Sequence, residues 1–293
     1  MDKRKAALLS VFSNSILIIF KLAAGIFMGS ISVISEAIHS SIDLLASFIA
    51  FFSIRKAAEA EDKEHPFGHG KYENISGFVE ALLIFVAAAL IIYEAIKKII
   101  EGAQIESTGA GIIVMLVSSV VNLIISMMLL KIAKKTDSIA LEADGMHLLT
   151  DVATSFGVFI GLIIVRFTGL KIVDPITALF VAVLIIKASY DLTKKSMVDL
   201  LDSSLPEDEI DKITKIIASY PEVKNYHRLR TRKNGQKREI DIHIRLDKDM
   251  PLTEAHDLCH AIKNDVLAEF KEAYIIIQLE PFREETIQIE GKN

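Results

Sequence analysis

The chain has 293 residues, enough for two domains on size alone. Half of it is hydrophobic (51%), the formal net charge is a mild -5, and no basic tract marks a polyanion, so nucleic acid is excluded as a partner. A single cysteine, Cys259, excludes a disulfide framework and a cysteine-rich cluster, which leaves histidines and carboxylates to hold any metal.

The apolar residues are concentrated in one part of the chain. Residues 1–200 are long apolar runs with short charged breaks, residues 201–285 read as a soluble domain, and 286–293 as a tail. Crossing ~30 Å of hydrocarbon takes ~20 mostly apolar residues in a helix. Six segments qualify, roughly 7–29, 31–54, 76–96, 109–132, 139–165 and 173–193, separated by breaker or charge signals such as GSIS at 29–32 and the polar stretch 55–74. The first run has a basic start but is too long for a signal-peptide core, so it reads as a retained span. Basic residues near the span ends set orientation. Ten lie at the N-terminus and in loops 2/3 and 4/5, against Lys97, Lys98, Arg166 and Lys171 in the other two loops, which places both termini in the cytoplasm of a multi-pass cell-membrane protein.

In the soluble part, EDEIDKITKIIASY has helical spacing of isoleucine, and VKNYHRLRTRK and KREIDIHIRLD alternate as strands around an Asn234–Gly235 turn. LTEAHDLCHAIKNDVLAEF is amphipathic and YIIIQLE closes the domain. The expected fold is a membrane all-α six-helix domain followed by a small α+β domain of order αββαβ, ferredoxin-like or metallochaperone-like, with helices on one face of a sheet.

Span 2 contains His39 and Asp43, and span 5 contains His147 and Asp151. Positions i and i+4 share a helix face, so each span presents an imidazole and a carboxylate in one direction. Two facing copies make an N2O2 cage suited to tetrahedral Zn²⁺, with Fe²⁺, Co²⁺ or Mn²⁺ also able to use such ligands. Polar glue between helices is the plain alternative, but an ionisable residue at mid-bilayer costs about 2.5–3.5 kcal/mol and two matched pairs exceed what glue requires. Glu36, Glu80 and Asp144 are secondary candidates, as helix-end, proton-site or supporting carboxylates. In loop 2/3, Asp62, His65 and His69 sit in a Gly/Pro turn, either converging on an ion or simply solvated. In the soluble domain His227 and His243 fall in adjacent strands, His256 and His260 lie one helical turn apart, and Glu280 ends the last strand. All eight histidines fall in these three places.

The combination of six spans, HxxxD on spans 2 and 5, the HPFGHGKYE loop and a terminal αββαβ domain resembles the cation diffusion facilitator family, in its bacterial zinc and iron efflux branch, over nearly the whole chain. The resemblance implies a homodimer, joined through its cytoplasmic domain, that exports a divalent metal in exchange for protons, and a transporter rather than an enzyme. It implies a transport site of His39, Asp43, His147 and Asp151, a loop site of Asp62, His65 and His69, and a subunit-bridging cytoplasmic site of His227, His243, His256 and Glu280. Gln278 departs from the family's histidine, and His260 is a substitute ligand in its place; Lys71 and Asp202 resemble the charge pair that pins the family's dimer. His39 favours zinc, often with cadmium, over the manganese or iron expected of DxxxD. The metal enters as substrate and regulator, not as a cofactor. An intramembrane metallohydrolase is disfavoured because the chain has no HExxH, and a metal-sensing receptor or a passive channel would do without four mid-membrane ligands or without proton coupling.

Overall fold

A computed structural model describes residues 2–29, 31–101, 109–170, 172–270 and 272–283; the expected tail at 286–293 lies outside them. The chain divides into two compact units, Met1–Leu200 and Leu201–Asn293.

The first unit is six helices: α1 Lys3–Met28, α2 Ile31–Ala57, α3 Lys71–Glu101, α4 Gly109–Thr136, α5 Ile139–Thr168 and α6 Val173–Leu200. All six are long and apolar enough to cross a membrane. Gly29 and Gly169 end α1 and α5 in the left-handed conformation that glycine adopts without a Cβ penalty (φ 63° and 71°). Ser138 caps α5, its hydroxyl accepting from the Leu141 amide.

Every helix outruns its apolar core. The largest difference is at α3, which starts at Lys71 rather than at 76. Its polar first turns stay helical because neighbouring helices satisfy them: Lys3 Nζ donates to Glu73 Oε1 at 2.7 Å, Ser138 donates to the other oxygen of Glu73, and Asn74 Nδ2 donates to Asp199 Oδ2 at 3.0 Å.

Packing within the bundle is uneven along its length. Ala6 and Ala7 of α1, Ile54 of α2, Leu129 and Ala133 of α4, and Ala140, Leu141 and Leu148 of α5 form one buried cluster, and Ala81, Ile84, Ala88, Ile139, Ala143, Ile185 and Leu192 a second. Both favour the end where α1, α3 and α5 begin. Toward the opposite end large apolar side chains point outward, Phe27 94% exposed and Phe167 85%, as expected of a lipid-facing surface. Gly157 and Gly161 of α5 admit α6 at close range: a Cβ on Gly157 would come within 2.7 Å of Val181 Cγ2, and one on Gly161 within 2.7 Å of Thr177 Oγ1.

The second unit is α7 Glu207–Ala218, β1 Asn225–Asn234, β2 Lys237–Leu246, α8 Leu252–Glu269 and β3 Ala273–Pro281, the αββαβ order read from the sequence. The sheet order is β1-β2-β3, antiparallel between β1 and β2 and parallel between β2 and β3, with α8 as the crossover a parallel pair needs. The hairpin turn falls on Gly235–Gln236, one residue later than expected, because Asn234 still pairs with Lys237 and the positive φ of 61° goes to Gly235.

Ile240, Ile242 and Ile244 alternate toward the helices and meet Ile213 and Ile217 of α7 and Ile262 and Val266 of α8. Strand alternation leaves Asp241, His243 and Arg245 on the other face. Ile242 is fully buried, so Ile242→Ala should destabilise this unit by about 2–5 kcal/mol. An unchanged unfolding midpoint of the detergent-solubilised variant would contradict that packing.

Candidate metal centres

In the bundle, α2 carries His39 and Asp43 one turn apart and α5 carries His147 and Asp151. The ligand atoms of His39, Asp43 and Asp151 lie within 4.8 Å of one another. His147 joins the group through Asp43, with Nε2 3.2 Å from Asp43 Oδ1. Asp43 and His147 are buried, Asp151 is half-buried and His39 is exposed, so the four residues span the boundary between the dense and the loose halves of the bundle. His147 Nδ1 and Asp151 Oδ2 are buried and have no protein hydrogen-bond partner. Buried polar atoms are normally satisfied, so two orphans in one cluster of nitrogen and carboxylate ligands fit a bound cation.

Sequence reasoning passed over Lys21, which lies beside this group. It is 4% exposed and donates to Glu36 Oε1 at 3.0 Å and to Ser40 Oγ at 2.7 Å. Its signal was a single lysine inside the apolar run of α1, the kind of residue a membrane span keeps only with a partner. That partnership also accounts for Glu36.

In loop 2/3, Asp62 Oδ1 accepts from the backbone amides of Glu64 at 2.9 Å and His65 at 2.6 Å, which fixes the carboxylate. The His65 amide bond holds the Asp62 carboxyl below its usual range. The other Asp62 oxygen lies 3.3 Å from His69 Nε2, His65 Nδ1 lies 3.4 Å from Oδ1, and the two rings are 4.5 Å apart. His69 is buried although it sits in a loop, unlike a solvated loop histidine. The three residues form a compact set able to hold a metal.

In the second unit, His227 on β1 pairs directly with His243 on β2. His243 Nδ1 is 2.8 Å from Glu280 Oε1 and His227 Nε2 is 3.4 Å from Glu280 Oε2. Arg245 Nε lies 3.6 Å from that same Glu280 oxygen. The strand β1 reaches this arrangement through a bulge between His227 and Arg230, where Arg228 takes a φ of 51°. An L residue there costs roughly 1–2 kcal/mol. Simple alternation of residues carries no sign of it.

Gln278 on β3 is level with His243 in the parallel register, beside the cluster. His256 and His260 are not brought into it; both are exposed on α8, with their rings 4.5 Å apart. Lys71 begins α3 in the first unit. Asp202, in the second unit, has a φ of 55° and accepts from Arg232 Nη1 at 3.1 Å.

Two family models match the chain consecutively: the cation efflux transmembrane domain over residues 7–201 and the cation efflux protein cytoplasmic domain over residues 205–282. The chain belongs to the cation efflux family, the cation diffusion facilitators. Among its relatives, the cation-efflux pump FieF of Yersinia pestis is 32% identical over 278 residues, covering 95% of this chain and 92% of the relative. An uncharacterised transporter of Synechocystis is 31% identical over 282 residues, covering 96% and 91%. The metal-bound C-terminal domain of the CzcD transporter from Thermotoga maritima is 32% identical to a stretch covering 25% of this chain and 87% of that domain, with a TM-score of 0.25. The family assignment makes this a multi-pass divalent cation efflux protein with a cytoplasmic domain, and a transporter rather than an enzyme.

The cytoplasmic cluster has a pH signature. The hydrogen bond from His243, aided by the charges of His227, His243 and Arg245, lowers the Glu280 carboxyl below its ordinary value of 4.5. A carboxylate depressed on folding contributes stability that is fully present above the unfolded value and is lost as the pH falls through the folded one. Acidification below that value should therefore lower the unfolding midpoint of the metal-free wild type more than that of Glu280→Gln, as read by thermal denaturation across a pH series. Parallel acid profiles for the two proteins would remove Glu280 from the ionised network.

Proposed function

We propose that the protein exports a divalent transition metal, Zn²⁺ before Cd²⁺, Fe²⁺, Co²⁺ or Mn²⁺, from the cytoplasm in exchange for protons, with His39, Asp43, His147 and Asp151 as the transport site. The observation that carries the reading is the meeting of the two His/Asp pairs across α2 and α5, where a buried imidazole nitrogen and a carboxylate oxygen lack protein partners. Two imidazoles and two carboxylates are a ligand set zinc accepts in tetrahedral geometry. Ligand type alone ranks zinc against iron and manganese weakly, so metal preference is decided by flux.

Proton exchange follows from the chemistry of the ligands. A metal requires neutral histidine and ionised aspartate, so protons leave these residues as the ion binds and return as it departs. Alternating access requires two states, one that loads metal from the cytoplasm and one that releases it on the other side and takes up protons; with both termini cytoplasmic, the densely packed end where α1, α3 and α5 begin is the cytoplasmic one.

The cytoplasmic domain joins two copies of the chain and senses metal. His227, His243 and Glu280 are the core of its site, and His256 belongs to the same site across the subunit boundary, with Gln278 or His260 completing it. Lys71 and Asp202 form the charge pair that pins the dimer near the membrane surface. The loop set Asp62, His65 and His69 is a second cytoplasmic metal site. Occupied ligands shared between subunits shift the population toward the competent dimer.

Metal uptake into proteoliposomes containing a pH dye tests the transport site. Wild type should move Zn²⁺ with a lumenal pH change, and Asp151→Ala should lose at least the ~10–100-fold that outer-shell changes alone cost a metal site. Preference for Mn²⁺ or Fe²⁺ would keep the exporter and change its metal, whereas no flux of any ion would favour a metal-sensing membrane receptor. Removing residues 205–293 should alter activation of transport by metal more than ion selectivity; an unchanged metal dependence would end the sensing role.

A further inference from the structure

Glu80 of α3 and Asp144 of α5 are, among the described residues, the two carboxylates in the bundle that are wholly inaccessible to solvent. Neither makes an ion pair with a lysine, arginine or histidine among the described residues. Each has one oxygen held by a hydroxyl: Ser47 Oγ donates to Asp144 Oδ1 at 2.9 Å, and Ser76 Oγ donates to Glu80 Oε1 at 3.1 Å. The second oxygens, Asp144 Oδ2 and Glu80 Oε2, are buried without any protein partner. The two carboxyls lie within electrostatic reach of each other. Two uncompensated carboxylates so placed would cost several kcal/mol each, so the pair requires a positive partner that is not a side chain.

The position of the pair relative to the metal ligands indicates which partner. Asp144 is three residues before His147 on α5, and Ser47 is four residues after Asp43 on α2, so this layer lies about one helical turn, roughly 5 Å, from the transport site toward the dense end. Further that way on the same face of α3 lie Ser76 and then Glu73, which is paired with Lys3. The groups facing the pair are Asp43 and Ser47 from α2, His147 from α5 and Ser10 from α1; Asn14 of α1 donates to Ser47, α4 brings the Ser126 hydroxyl to the Gly145 carbonyl and α6 the Ser189 hydroxyl to the Ala81 carbonyl. None supplies a fixed positive charge: the layer offers hydroxyls, carboxyls, one amide and one imidazole neighbour. Packing this dense suits a proton better than a hydrated ion.

We infer that Glu80 and Asp144 together form a proton-binding site, distinct from the metal ligands, that relays protons between the transport site and the cytoplasmic end of the bundle. When metal enters from the cytoplasm, the N–H bond of a site imidazole breaks, its proton forms an O–H bond on the Glu80–Asp144 pair, and the pair passes a proton on toward Glu73. This rests on the antiport reading above.

The test uses the full chain in proteoliposomes, as wild type, Glu80→Gln, Asp144→Asn and the double variant. Three readouts are compared: proton movement accompanying zinc uptake, zinc-for-zinc exchange without a gradient, and equilibrium zinc binding. The variants should bind and exchange zinc as wild type does but lose the proton movement and the pH dependence of uptake. Wild-type proton movement in both single variants would overturn the relay while leaving antiport intact. Loss of zinc binding and exchange together with the protons would overturn it in favour of a metal path. A wild type that moves zinc without protons would overturn the antiport reading itself, and the relay with it. A check independent of how the variants fold is the infrared spectrum of zinc-free wild type at neutral pH. It should contain a protonated-carboxyl band, and its absence would overturn the proposal.

Discussion

The contact between Asp43 and His147 ties the membrane unit together, because it places a carboxylate and an imidazole from different helices at hydrogen-bonding distance where water is scarce. Each group alone would be costly inside hydrocarbon, and each becomes tolerable by facing the other. The requirement fixes the rotation of α2 and α5 about their axes. It thereby brings His39 and Asp151 to the same place and turns Ser47 toward Asp144 one turn away. The small residues of the bundle serve the same end: Gly157 and Gly161 let α6 back closely onto α5, which holds the ligand-bearing helix from behind.

Much of this was legible in the sequence because the governing rules are local. Helix periodicity is enough to put His39 with Asp43 and His147 with Asp151, and hydrocarbon thickness is enough to count six spans. The order of elements in the terminal domain also follows from spacing, with isoleucine every second residue in β2 and every third or fourth in α7. What escaped depends on partners distant in sequence. The polar start of α3 reads as loop until Lys3, Ser138 and Asp199 are seen to satisfy it. Lys21 reads as an oddity until Glu36 and Ser40 lie beside it. His256 and His260 share a helix turn with each other, and nothing in their spacing tells whether they meet the strand histidines.

The two units assemble their candidate metal ligands from opposite materials. In the membrane the ligands come from helices and the burial of charge is the constraint. In the cytoplasmic unit they come from a sheet face opposite the apolar one, where His227 and His243 both contact Glu280 and Arg245 lends a nearby positive charge.

The bulge in β1 sets the parity of that sheet face. His227 opposite His243 and Arg230 opposite Asp241 share a face only because two residues, Arg228 and Leu229, stand against one on β2. In an uninterrupted strand His227 would share a face with Thr231, whose hydroxyl accepts from the Leu205 amide on the buried side. The same residues paired regularly, without the bulge, would keep every side chain of the cluster and yet turn His227 into the isoleucine core. The cluster therefore depends on a backbone irregularity that carries no ligand: the bulge absorbs the extra residue between His227 and Arg230 and keeps both on one face.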